Sequence, residues 1–333
     1  MKRSIFLVLS AIILLAIGCT VGATITSKDK EPCPEVTVPP KKYKDHLRYL
    51  ESSLDSLHHI KSNPIPGEWL YHNRELQQYP HQFLQEHPNI LEEKRNKVYI
   101  QPIGSFSKEQ TEILKTTSEY ISVFYHVECI ILDSISSSEI PEENTRMVLL
   151  PGDEFKRKQF QTTYIMNEIL QPKLPKDARA YMGFTNVDLY PNDSYNFVFG
   201  QGKIGGYLGI YSINRLGFPE WDSTAYRQCL SRTLKLATHE LGHIFGFRHC
   251  VEYECLMNGS NSLQESDNKP YYLCPHDIMK VSQGLEIEET YRFEKIADFW
   301  DKHAFPERAL FYRSSIRLLK KYANRIDGGI HNN

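Results

Sequence analysis

The sequence predicts an α/β fold, a mixed sheet with helices packed on it. Three observations lead there. Hydrophobic residues are 41% of the 333-residue chain and aromatics 12%, enough apolar surface for a sizeable core. From Lys97 onward, short strand-like runs alternate with runs of helical period. Further on, two strand-like runs flank a glycine-rich turn, the pattern of a hairpin. Charge is nearly balanced, 39 Lys+Arg against 41 Asp+Glu for a net -2, so a strongly basic nucleic-acid binder is excluded.

The chain begins with an address. Lys2 and Arg3 precede an apolar run from Ile5 to Ile17, shorter than the roughly 20 residues of a membrane-spanning helix and suited to an export signal over 1–18. Leu15-Ala16-Ile17-Gly18-Cys19 resembles a lipoprotein processing site, with Cys19 the residue that would carry the lipid; Ala16 stands where a larger aliphatic residue is usual. Two other readings stay open. Val21-Gly22-Ala23 can serve an ordinary signal peptidase, and the charge-free stretch Ser4 to Thr26 is long enough for an uncleaved anchor. All three place the bulk of the chain outside the cytoplasm, in the cell envelope or beyond it. Residues 19–42, rich in Lys and Pro, read as an extended tether; Cys33 within it has no assigned role.

A helical extension is expected over 43–95. Leu47, Leu50, Leu54, Leu57 and Ile60 recur at three- and four-residue steps, one apolar face of a helix from about Tyr43 to Lys61. Asn63-Pro64-Ile65-Pro66-Gly67 breaks it, and the aromatic-rich stretch Glu68 to Glu86 reads as structural cover for the main domain. That domain is placed at 96–333. Val98-Tyr99-Ile100 is a strand, Ser107 to His126 a helix capped by Ser107, and Val127 to Leu132 a second strand. Arg157 to Leu170 reads as helix and Ala178 to Phe184 as strand. Asn196 to Phe199 and Tyr207 to Ile213 are the two hairpin strands.

The chemistry lies in residues 239–249, His-Glu-Leu-Gly-His-Ile-Phe-Gly-Phe-Arg-His. They end an amphipathic helix on which Leu230, Leu234, Leu241 and Phe245 face a core. His239 and His243, one helical turn apart on one face, can share an ion. Gly246 allows a positive φ, which brings His249 round as a third nitrogen ligand. Three neutral imidazoles around Zn²⁺ leave a fourth position open, the mark of a catalytic rather than a structural zinc. Glu240 beside that ion can take a proton from water and pass it to a departing amine. The predicted reaction is metal-assisted hydrolysis of a peptide bond.

Beyond His249 come Cys250, Cys255, Leu256-Met257 and Cys274, and upstream stand Asp188-Leu189-Tyr190-Pro191 and Asn196 to Gln201. In these motifs the chain resembles the archaemetzincins, a branch of the metzincin zinc peptidases, over roughly residues 65 to 320. The resemblance implies His239, His243 and His249 as catalytic zinc ligands, Glu240 as general base and Met257 in a methionine turn beneath the metal. It also implies a twisted mixed sheet carrying the active-site helix down to about residue 246. A smaller helical part with the methionine turn would come next, ending in helices near Ile287 to His303 and Pro306 to Tyr322. Substrate, a peptide or protein, would lie antiparallel to an edge strand between Asn196 and Ile213.

Family members hold a second, structural zinc through four cysteines. Cys250, Cys255 and Cys274 match three, and Asp277 stands where the fourth belongs. Asp277, or His276 with the loop shifted, can complete a zinc tetrahedron; the rival expectation is that this second site is lost. Aminopeptidase and endopeptidase roles both remain open. The alternative to a peptidase is a zinc-shaped peptide-binding scaffold without turnover, and a weaker one is a hydrolase of non-peptide amides. His58, His59, His72, His81, His87, His126, His303 and His331 lack metal spacing, Cys129 reads as a buried small hydrophobe, and Cys229 lies on the active-site helix before His239; the pairing of Cys33, Cys129 and Cys229 is open.

Overall fold

The computed structural model describes residues 41–86, 88–150 and 155–330. The expectations for the export signal, for Cys19 and Cys33, and for His87 and His331 lie outside these described residues. Three helices come first: α1 (Lys41–Leu54), α2 (Trp69–His72) and α3 (Pro80–Gln85). Next come β1 (Lys97–Ile103), α4 (Lys108–Phe124), β2 (Glu128–Ile131), β3 (Thr145–Val148) and β4 (Arg157–Gln161). α5 (Thr162–Tyr164) runs into a π-helical turn over Ile165–Leu170, before β5 (Ala178–Thr185), β6 (Asp188–Tyr190), β7 (Gly200–Gly202) and β8 (Leu208–Ser212). The rest is helical: α6 (Ser223–Ile244), α7 (Leu263–Asn268), α8 (Pro275–Gly284), α9 (Glu289–Lys302) and α10 (Pro306–Ile330). Among the described residues, no helix is long and apolar enough to cross a membrane.

The main sheet has the order β2-β1-β5-β8-β7, with the first four strands parallel and β7 antiparallel at the edge. The mixed α/β class predicted from the sequence is the one observed. β5 is buried along its whole length because both faces of the sheet are covered. On one face, Val98, Ile100, Met182, Phe184 and Tyr211 join a core shared with α4, α6 and the C-terminal helices. On the other face, Ile103, Tyr181, Leu208 and Ile210 pack on the π-turn residues Ile165 and Ile169. Ser107 caps α4 as expected: its Oγ accepts from Gln110 N at 3.1 Å, and its own N–H donates to Gln110 Oε1.

Three local expectations are corrected. Arg157 to Leu170 is not one helix, since β4 takes its first half into a second, three-stranded sheet ordered β3-β4-β6. Gln159 holds it there, donating to Asp188 Oδ2 at 2.7 Å and accepting from Arg146 Nε at 2.7 Å, so tertiary pairing overrides the helical period. Residues 196–199 are not the first hairpin strand; Val198 makes only an isolated bridge to Leu189, and the ladder with β8 runs through Gly200–Gly202. α1 stops at Leu54, followed by a 3₁₀ turn over Asp55–Leu57, well short of Lys61. Ile60 instead bridges Tyr253, and Lys61 N donates to Glu252 O at 2.8 Å. The N-terminal segment leaves its helix to run beside the stretch just after His249.

Candidate active site

The helix α6 starts at Asp222, whose carboxylate accepts from Thr224 N at 2.7 Å and Ala225 N at 2.8 Å. Leu230, Leu234 and Leu241 are buried along its inner face, as their spacing required. It ends where Gly246 takes φ +97°, with Gly246 N bonded to His243 O and Phe247 N to Gly242 O, both at 2.9 Å. That left-handed turn reverses the chain and carries His249 back over the helix end. Ligand atoms of His239, His243 and His249 all lie within 4.8 Å of one another.

The orientation of the three rings tests whether a cation fits. His239 Nδ1 donates to Leu256 O at 2.9 Å, His243 Nδ1 to Phe247 O at 2.7 Å, and His249 Nδ1 to the Glu75 carboxylate at 3.0 Å. Carbonyl and carboxylate oxygens only accept, so each Nδ1 carries the proton and each Nε2 keeps a lone pair. The Nε2 atoms of His239 and His243 then face each other at 3.1 Å, an arrangement that repels unless a cation lies between. Burial works the same way, holding His239 well below the usual imidazole range and bringing His243 down to about 3, with neighbouring positive groups adding to it. His239 and His243 are therefore neutral, the protonation state that zinc requires. Imidazole triads backed by oxygen acceptors are the usual zinc arrangement, so the donor set fits the metal.

Glu240 is buried beside them. Burial pushes its carboxyl up to about 7, against the Lys269 ammonium and the Gly202 N–H, which both favour the ionised form. β7 lies directly on α6 at this point: a Cβ on Gly202 would sit 2.7 Å from Glu240 O, and one on Gly200 2.9 Å from Glu240 Cγ. Glycine is thus required for close approach, not for a turn. Gly202→Ala should destabilise the protein by about 1–3 kcal/mol in thermal melts and lower kcat/KM, because the edge strand must lift off Glu240. Unchanged melting and turnover would show that the strand and helix are less tightly opposed.

Met257 is fully buried under the helix. A Cβ on Gly242, between the two helical histidines, would meet its Sδ at 2.7 Å. Asn258 shapes the turn that holds it, donating from Nδ2 to Cys250 O at 2.8 Å and Tyr253 O at 2.9 Å while its Oδ1 accepts from Cys255 N at 2.9 Å. Cys250, Cys255, Cys274 and Asp277 converge just behind, all buried, with ligand atoms within 4.8 Å. Asp277 Oδ2 lies 3.1 Å from Cys255 Sγ and 3.7 Å from Cys274 Sγ. Hydrogen bonds from the other two thiols hold Cys250 well below the usual thiol range, whereas burial raises Cys255 and Cys274. His276 points elsewhere, its Nε2 2.9 Å from Glu51 Oε1.

Sequence spacing did not reveal four contributors. Glu75 comes from 174 residues upstream of its partner His249, in the segment expected only to cover the core. Lys269, buried and lowered to about 8 mainly by that burial, donates to Asn258 O at 3.2 Å and stands 3.4 Å from His239 Nδ1. Lys280 is buried with its Nζ 2.7 Å from Asp277 Oδ1, and Gln78 Oε1 accepts from Lys280 Nζ at 3.1 Å. No motif could flag residues that matter only through a tertiary contact; the i,i+3 step from Asp277 to Lys280 was the single available hint.

The chain also resembles known proteins. Residues 177–283 match the profile of Peptidase family M54. Archaemetzincin-2 of Macaca fascicularis is 32% identical over 260 residues, 68% of this chain and 71% of that protein. The chain belongs to the archaemetzincin family. Membership makes it a zinc-dependent peptidase, a hydrolase of peptide bonds. The archaemetzincin of Pyrococcus abyssi is 30% identical over 190 residues, 56% of this chain and 95% of that protein. A crystal structure of archaemetzincin from Methanopyrus kandleri superposes with a TM-score of 0.44 at 25% identity, covering 59% of this chain and 98% of that one.

Proposed function

We propose that His239, His243 and His249 hold the catalytic zinc of this peptidase and that Glu240 is its general base. The observation that carries this is the commitment of every ring Nδ1 to an oxygen, which turns the Nε2 lone pairs of His239 and His243 on one another. Zinc, when bound there, supplies Lewis acidity toward water and toward the scissile carbonyl. Glu240 takes one proton from the attacking water as the new C–O bond forms. It hands that proton to the amide nitrogen as the C–N bond breaks, so the amine leaves neutral. β7 has β8 as its sheet neighbour and offers its other edge to an extended substrate backbone by strand addition.

A second zinc at Cys250, Cys255, Cys274 and Asp277 completes the proposal. Asp277 preserves the formal charge a fourth thiolate would bring, and Lys280 occupies its other oxygen. The metal would tie the chain next to His249 to α8, a structural duty. A scaffold without turnover is not favoured, because Glu240 has no duty in one. The reading is tested by cleavage of a peptide library before and after chelation and zinc return, alongside metal analysis. Protein that binds zinc yet cleaves nothing in the library ends it.

Envelope anchoring through Cys19 is the reading that residues 1–26 support. Cys19→Ser should leave a larger, unprocessed product and move the protein out of the membrane fraction. If size and fractionation both stay as in the parent, the lipid anchor is wrong.

A further inference from the structure

His243 takes its acceptor from a backbone carbonyl just past the helix end and His239 from one in the methionine turn, but His249 takes its own from a distant side chain. Glu75 places both carboxylate oxygens 3.0 Å from His249 Nδ1. It belongs to a short strap whose side chains grip the ligand segment on both sides of that histidine. Gln78 Oε1 accepts from Arg248 N at 3.1 Å and its Nε2 donates to Gly246 O at 3.1 Å, while Gln77 Oε1 accepts from Val251 N at 2.9 Å. Trp69 sets its ring edge-on to His249, centroids 5.2 Å apart. The strap is itself tied down where Lys61 N meets Glu252 O and Glu254 N meets His59 O.

We propose that Glu75 is the positioning residue for His249. The N-terminal segment is thereby part of the active site: it fixes the tautomer and ring plane of the third ligand. This rests on the zinc-ligand reading of the three histidines. His249 comes after Gly246 on an irregular stretch with no helix to orient it, so groups outside that stretch, the Glu75 acceptor and the Trp69 edge, hold its ring. A carboxylate does this better than a carbonyl because the hydrogen bond is charge-assisted.

The test is zinc competition against a chelator with the full chain and its Glu75→Ala, Glu75→Gln and His239→Ala variants. The histidine-site step is the one absent from His239→Ala. Glu75→Ala should hold that zinc about 10- to 100-fold more weakly. Glu75→Gln, which keeps an acceptor oxygen but not the charge, should fall between. Reloaded with excess zinc, the Ala variant should show a lower kcat with KM for peptide little changed. Zinc affinity of Glu75→Ala within about threefold of the parent, against that range, overturns the assignment. Where the Ala variant does not fold, Glu75→Gln decides, and parent-like affinity overturns it. A parent without any histidine-site step sinks the zinc-ligand reading instead, so the two failures are distinguishable.

Discussion

Glu240→Gln is expected to keep its zinc and lose turnover by about 10²- to 10⁴-fold, the usual contribution of a positioned general base. The amide is nearly isosteric and can still accept from Gly202 N–H, so β7 and the helix should stay in place. What it cannot do is take a proton. Glu240 suits that task because burial lifts its carboxyl to about 7 while Lys269 and the Gly202 N–H favour its ionised form. The expected signature is a fall in kcat with KM for a cleaved peptide little changed and zinc stoichiometry equal to the parent. A variant that loses its zinc would mean that Glu240 is structural. A variant that cleaves at the parental rate would mean that the proton goes elsewhere.

Cys255→Ser should lower stability by more than about 3 kcal/mol, a fall in Tm on the order of 6 °C or more. Cys255 is fully buried. Its sulfur accepts from Cys274 N at 3.2 Å and lies 3.1 Å from Asp277, so it sits at the centre of the second cluster. Asp277 is buried beside three thiols, with Lys280 Nζ 2.7 Å from its other oxygen. Thermal melts with and without a chelator separate the cases. If zinc is held, chelation of the parent should reproduce most of the loss, and the variant should be insensitive to it. A parent whose melting ignores the chelator and a variant within about 1 kcal/mol of it would show that no structural zinc is bound. Some activity should fall with stability, because Cys250 adjoins His249.

The active-site helix could be read without a structure because helical geometry is local. His239, Glu240 and His243 need only a 3.6-residue turn to share a face, and Gly246 needs only its lack of a Cβ to end that turn. The parallel strands β1, β2 and β5 were equally readable, as short runs rich in apolar and aromatic residues: Val98-Tyr99-Ile100, Cys129 to Ile131 and Ala180 to Phe184. β7 was not, because a Gly-Gln-Gly strand violates strand propensity to let the sheet edge lie on Glu240. β4 was missed for the opposite reason: its residues favour a helical period until Gln159 and its partners pair them into a sheet.

Chain-local chemistry therefore settled which residue types meet: three imidazoles, one carboxylate, and three thiols with an aspartate. Tertiary structure decided how they are held. Glu75 on His249, Lys280 on Asp277, Lys269 near His239 and Asn258 across the methionine turn are contacts that only folding brings about. The reason is physical. A ligand's identity is fixed by its own side chain and backbone step, whereas its tautomer, ring plane and charge balance depend on whatever group folding delivers to its far side.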